Sequence, residues 1–119
     1  MKVILVDDDD LVRSTLAQVL QDAGFQVMDF ADPREALGTF RAVGSLDVLV
    51  TDIDLRSALN GFDVAAAAHG LWPSISVVLI SGLPADHTGQ LLDPRDRYLQ
   101  KPVSNCHLLQ TIEPLTSRR

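Results

Sequence analysis

Cysteine is nearly absent: one residue, Cys106, in 119. That count excludes an internal disulfide framework and any cysteine-rich zinc site. Between Asn105 and His107, this thiol reads as ordinary helix packing in a cytosolic protein. Long apolar runs are missing too. None reaches the roughly 18 residues of a membrane span, and Lys2 before a four-residue apolar run is too little for a signal peptide. Positive charge is scarce, with 10 Lys and Arg against 16 Asp and Glu, a net charge of −6. A chain of this sign gains nothing from meeting nucleic acid or an anionic membrane, and the terminal pair Arg118-Arg119 does not reverse the balance. There are no internal repeats, linkers or low-complexity tracts. The expectation is a soluble, cytoplasmic protein, one domain over residues 1–119, large enough for a hydrophobic core without staples.

What is present is an alternation of short apolar runs with helical patterns. Val3 to Val6 reads as a buried strand. Leu11, Val12, Leu16, Val19, Leu20 and Ala23 then recur at helical spacing up to a stop at Gly24. Gln26 to Phe30 alternates like a strand exposed on one face at a sheet edge. Asp32-Pro33-Arg34-Glu35 is a helix start, with Asp as cap, Pro at the first helical position and Glu three residues after the cap; the helix should run to about Val43. Asp47 to Thr51 is a third strand, its Val-Leu-Val centre suggesting burial on both faces. Gly61 to His69 is an Ala-rich helix ended by Gly70, and Trp72 reads as packing before a fourth strand, Ser76 to Ile80. Pro84, Gly89 and Pro94 leave room for a short helix around Asp86 to Leu92. Arg97 to Gln100 is the last strand. Ser104 caps a final helix with Leu108, Leu109 and Ile112 on one face, which Pro114 should end or kink. Five strands alternating with about five helices specify an α/β domain whose parallel sheet is covered on both sides.

Ligands of such folds bind beyond the carboxyl ends of the strands. Four consecutive aspartates, Asp7 to Asp10, stand after the first strand. Like charges about 4 Å apart repel by about 4 kcal/mol at an effective dielectric near 20. A divalent cation would offset that, because Mg²⁺ and Ca²⁺ take hard oxygen ligands; a solvated loop with one aspartate as N-cap is the plainer reading. The other strand ends carry Asp52, Ser81 and Lys101-Pro102. Together these are carboxylates for a metal, a carboxylate nucleophile, and a hydroxyl and an ammonium for phosphoryl oxygens. His69, His87 and His107 are dispersed without ligand spacing and read as surface or helix-end residues.

Over essentially its whole length the chain resembles the receiver domains of two-component response regulators. The motifs VILVDDDD, VLVTDID, VVLISG and YLQKP occur in that family's order and near its spacings. The resemblance implies a doubly wound, flavodoxin-like five-stranded parallel sheet of order 2-1-3-4-5, with helices on both faces. It implies Asp52 as the phosphoacceptor, taking a phosphoryl group from a histidine kinase or a histidine phosphotransfer protein. It assigns Mg²⁺, or another divalent cation such as Mn²⁺, to Asp8 directly, to Asp7 through water, to Asp52, and to the backbone carbonyl of Asp54. Asp9 and Asp10 then fall to capping the first helix. Ser81 matches the hydroxyl that moves to a phosphoryl oxygen, Lys101 the lysine that pairs with the phosphoryl group ahead of a cis Lys-Pro bond, and Tyr98 the aromatic switch. The face of the fourth helix, fifth strand and fifth helix, with Gln100 and Asn105, would carry the output to a downstream protein or a second copy of the chain. Such a domain is a signalling module that catalyses only its own phosphorylation and dephosphorylation.

The loop after Asp52 departs from the family. Where a proline usually stands four residues on and a glycine eight on, this chain has Arg56 and Asn60, with Gly61 one later, which implies a one-residue insertion. Three other readings compete with this one. Asp52-Ile53-Asp54 resembles the nucleophile motif of haloacid-dehalogenase-type phosphatases, but those carry it near the chain start and the acidic pair after the lysine. A flavin carrier of the same architecture would need a phosphate loop where four aspartates stand. A receiver that no longer accepts phosphate and acts as a binding module would not need the intact set Asp7, Asp8, Asp52, Ser81 and Lys101.

Overall fold

A computed structural model describes residues 1–83 and 96–116. Its sheet is built from β1 (Lys2–Val6), β2 (Gln26–Phe30), β3 (Val48–Asp52), β4 (Ser76–Ser81) and β5 (Arg97–Gln100). All neighbours run parallel, in the order β2-β1-β3-β4-β5. Four helices are described: α1 (Asp10–Asp22), α2 (Pro33–Val43), α3 (Gly61–Leu71) and α4 (Asn105–Thr116), the last being the final helix of the sequence reading. The helix expected around Asp86 to Leu92, and His87 with it, lies outside the described residues.

Continuous apolar strands arise because side chains alternate between two covered faces. Ile4, Val6, Leu49, Val77 and Leu79 pack with Ala36, Phe40, Val64, Ala65 and Ala68 of α2 and α3. Val3, Leu5, Val48, Val50, Val78 and Ile80 pack on the other face with Leu16, Leu20, Leu108 and Ile112 of α1 and α4. Each fully buried Leu or Ile contributes about 1.5–3 kcal/mol relative to exposure. Trp72 behaves as read, its ring 5.4 Å from that of Phe40 and edge-on at 67°.

Several local expectations need correction. β2 is an edge strand, yet it is not exposed on one face only: Val27 packs on the α1 side and Phe30 on the α2 side, one anchor each. α3 continues through Gly70 to Leu71, with the Trp72 N–H closing onto the Ala68 carbonyl at 2.8 Å; packing of Trp72 outweighs the weak helix propensity of one glycine. Pro114 does not end α4, which runs on to Thr116. Cys106 is exposed rather than packed, because it lies off the face that Leu108 and Ile112 bury. His69 does lie at a helix end as expected, in the last turn of α3, half-buried and with its Nε2 2.9 Å from the Asp96 carboxylate.

Candidate functional site

Parallel strands that end in register bring the polar residues to one rim. Asp52 is the last residue of β3 and pairs with Ile80; Ser81, the next residue of β4, pairs with Gln100. The Lys101 N–H donates to the Ser81 carbonyl at 2.7 Å, and the Ile53 N–H to the Ile80 carbonyl at 2.8 Å. Asp52, Ser81 and Lys101 are thus fixed to each other through backbone. The Lys101–Pro102 peptide bond is cis.

Carboxylate oxygens of Asp7, Asp8 and Asp52 lie within 4.8 Å of one another. Asp7 is buried; its Oδ1 accepts the Asp9 N–H at 2.9 Å, while Oδ2 is buried without a hydrogen-bond partner among the described residues. Burial pushes the Asp7 carboxyl up, and the charges of Asp52 and Asp8 add to this, against the Asp9 N–H and Lys101. An orphaned, desolvated carboxylate oxygen beside two more carboxylates is the chemistry a hard divalent cation satisfies, so the residues present fit Mg²⁺ or Mn²⁺.

Lys101 closes the other side of the cluster, its Nζ 2.7 Å from Asp52 Oδ2. Burial by itself would depress the Lys101 ammonium. The hydrogen bond to Asp52 and the charges of Asp52, Asp7 and Asp8 outweigh it and hold the group above its ordinary value. The lysine therefore stays charged beside the carboxylate cluster.

The aspartate run divides by geometry. Asp9 is the N-cap of α1, its Oδ1 accepting the Leu11 and Val12 N–H groups at 3.0 and 3.1 Å. Asp10 is no cap; it sits in the first turn and pairs with Arg13 at 2.8 Å. Arg13 also bonds Asp29 of β2 at 3.0 Å and the Asp7 carbonyl at 2.9 Å, tying the loop after β1 to its neighbours. Asp54 is exposed; its N–H lies 3.3 Å from Asp52 Oδ1, and its own Oδ1 lies 3.4 Å from the Arg56 N–H.

Beyond Asp52 the chain turns sharply. A Cβ on Gly61 would stand 2.4 Å from the Asp52 carbonyl oxygen and 2.7 Å from Ile53 Cα. Only glycine fits this approach. Gly61 therefore holds the start of α3 against the end of β3, one residue later than the family pattern has it. In the loop between Asp54 and Asn60, Arg56 has a left-handed backbone, φ 49°. Asn60 then caps α3 reciprocally with Asp63, an Asn-x-x-Asp signal that the sequence reading passed over.

Ser81 and Tyr98 share a residue that the sequence did not single out. The Ser81 hydroxyl accepts the Leu83 N–H at 3.1 Å, and the half-buried Tyr98 donates its hydroxyl to the Leu83 carbonyl. Gln100 and Asn105 are exposed beside them. Next to Lys101 opens a groove of about 480 Å³ whose walls include Leu11, Val12, Leu16, Ile80, Pro102 and Val103. Leu11 is 77% exposed there, an unusual position for a leucine at a site otherwise rich in charge.

Residues 3–113 match the response regulator receiver domain model. Among curated proteins, the chain is 31% identical to protein RcaC of Microchaete diplosiphon, covering 93% of this chain and 17% of that protein. It is 28% identical to the sensor kinase CckA of Brucella abortus, covering 98% of this chain and 13% of the kinase. The chain thus spans less than a fifth of either relative. A response regulator receiver protein from Sinorhizobium medicae superposes with a TM-score of 0.90 at 26% identity, covering 98% of this chain and 94% of that one. Among the described residues, no helix is long and apolar enough to cross a membrane.

Proposed function

The chain belongs to the response regulator receiver domain family of two-component signalling, and from that premise we propose that it accepts a phosphoryl group on Asp52 from a phosphohistidine. In the step, an Asp52 oxygen attacks phosphorus, the P–N bond breaks, the imidazole leaves with the bond's electron pair and takes a proton, and an acyl phosphate remains. One observation carries the reading: the Asp7, Asp8 and Asp52 oxygens gather within 4.8 Å while the Lys101 ammonium lies 2.7 Å from the Asp52 nucleophile.

Asp7, Asp8, Asp52 and the Asp54 carbonyl would hold Mg²⁺ or Mn²⁺. When bound, the ion supplies the positive charge that lets three carboxylates and a phosphoryl group share one crevice. Lys101 then pairs with a phosphoryl oxygen, and the Ser81 hydroxyl donates to another. Taking Ser81 away from the Leu83 N–H disturbs the residue on which Tyr98 also hangs, which offers a route from phosphate to surface. The readout face would be β5 and α4, open to a downstream protein or a second copy.

The donor is a histidine kinase or histidine phosphotransfer protein. The apolar groove of Leu11, Val12, Pro102 and Val103 beside Lys101 suits a helix that must deliver an imidazole to the rim. Outside its own phosphorylation and dephosphorylation the domain is not an enzyme. The test is intact mass after incubation with acetyl phosphate and Mg²⁺: one phosphoryl group gained by the wild type and none by Asp52→Asn supports the reading. No gain in the wild type favours a binding module instead, and rapid turnover of simple phosphomonoesters a phosphatase.

A further inference from the structure

Arg56 draws attention on two independent grounds. Its backbone lies in the left-handed region, φ 49°, which long side chains rarely adopt. From there its Nε reaches to 3.4 Å from Asp8 Oδ2. The preceding Leu55 is buried and pins the loop, so the left-handed turn that follows aims the guanidinium at the rim. The cluster is thereby shared between two cations of the chain itself: Lys101 on Asp52 and Arg56 on Asp8. Asp7 Oδ2 is buried with no hydrogen-bond partner among the described residues.

The two cations differ in how firmly they are held. Lys101 sits inside the crevice, whereas the Arg56 side chain is 86% exposed and Asp8 only 19%. Arg56 also lines an open groove of about 280 Å³ together with Asp8, Asp32, Arg34 and Ser57. An exposed ion pair of this kind is weak and screened by salt.

We propose that Arg56 is a positioning residue of the metal site: a tethered guanidinium that holds Asp8 in the metal-free domain and is displaced from it when a divalent cation binds. The proposal rests on the reading of Asp7, Asp8 and Asp52 as metal ligands. The left-handed turn at Arg56 thus brings a competing charge to the ligand that the ion needs most directly. Metal affinity is set lower than the carboxylates alone would make it, and it becomes sensitive to ionic strength through Arg56.

Calorimetric titration with Mg²⁺ of the wild type, Arg56→Gln and Arg56→Lys, at low and high salt, tests this. Arg56→Gln is expected to bind Mg²⁺ about two- to fivefold tighter at low salt, with the advantage shrinking at high salt and Arg56→Lys remaining near the wild type. Equal affinities of wild type and Arg56→Gln at low salt would overturn the inference. So would an advantage shared by Arg56→Lys or unchanged by salt, which would report loop relaxation rather than charge. Absence of Mg²⁺ binding in all three folded proteins overturns the metal reading itself, and the inference with it.

Discussion

Ser81 and Tyr98 hold Leu83 by its two backbone ends, the serine hydroxyl accepting its N–H at 3.1 Å and the tyrosine hydroxyl donating to its carbonyl. Neither side chain needs to touch the other for one to sense the other's departure. Tyr98 is the only tyrosine in the chain, so fluorotyrosine labelling yields a single ¹⁹F line. Phosphorylation should shift that line in the wild type. Ser81→Ala should displace it beforehand and leave little further change on phosphorylation. A full wild-type response in Ser81→Ala would break the link through Leu83.

Asp7 makes the metal-free domain less stable than it could be. Burial raises its carboxyl above the ordinary value, so the folded chain holds the proton more tightly than the unfolded chain. The stability that this proton brings is complete below the ordinary carboxylate range and is lost as pH rises through the raised value. Asp7→Asn cannot ionise and escapes the loss. Thermal melts should find it more stable than the wild type at neutral pH without metal, with the gap closing toward acid. Added Mg²⁺ should stabilise the wild type and not the variant.

The division of the aspartate run predicts opposite behaviour of neighbours. Asp9→Ala removes the α1 cap and should cost about 1 kcal/mol while Mg²⁺ still binds. Asp8→Asn should lose Mg²⁺ binding with no comparable loss of stability. Melting and metal titration of the two variants side by side check both halves.

Gly61 carries the approach of α3 to the end of β3. In Gly61→Ala the new methyl meets the Asp52 carbonyl at 2.4 Å, and backbone must move. The expected cost is about 1–3 kcal/mol, a fall in Tm of roughly 4 °C per kcal/mol, with slower phosphorylation because the end of β3 shifts. An unchanged melt would show that the contact relaxes freely.

The strand ends were legible because parallel strands covered on both faces leave unbroken apolar runs, after which Asp7, Asp8, Asp52, Ser81 and Lys101 stand out as abrupt polar residues. The cap at Asp32 was legible from the Pro and Glu that follow it, whereas the sequence left Asp9 and Asp10 undivided. What escaped depends on approach in space. The Asp8–Arg56 contact joins two loops far apart in the chain, and the Leu83 bridge uses backbone groups that no side-chain pattern marks. His69 pairs with Asp96 from the far end of another helix. Gly70 looked like a stop because propensity favours one there, and tertiary packing of Trp72 overrode it.

The most direct measurement localises the phosphoryl group. Protein treated with acetyl phosphate and Mg²⁺ and then reduced with borohydride should contain homoserine in place of aspartate, since reduction converts an acyl phosphate to the alcohol, and peptide sequencing by mass spectrometry reads its position. The account predicts that residue at position 52 alone, absent when Mg²⁺ is withheld and absent from Asp52→Asn. Homoserine at another aspartate, or none in protein that remains folded and binds Mg²⁺, would contradict it.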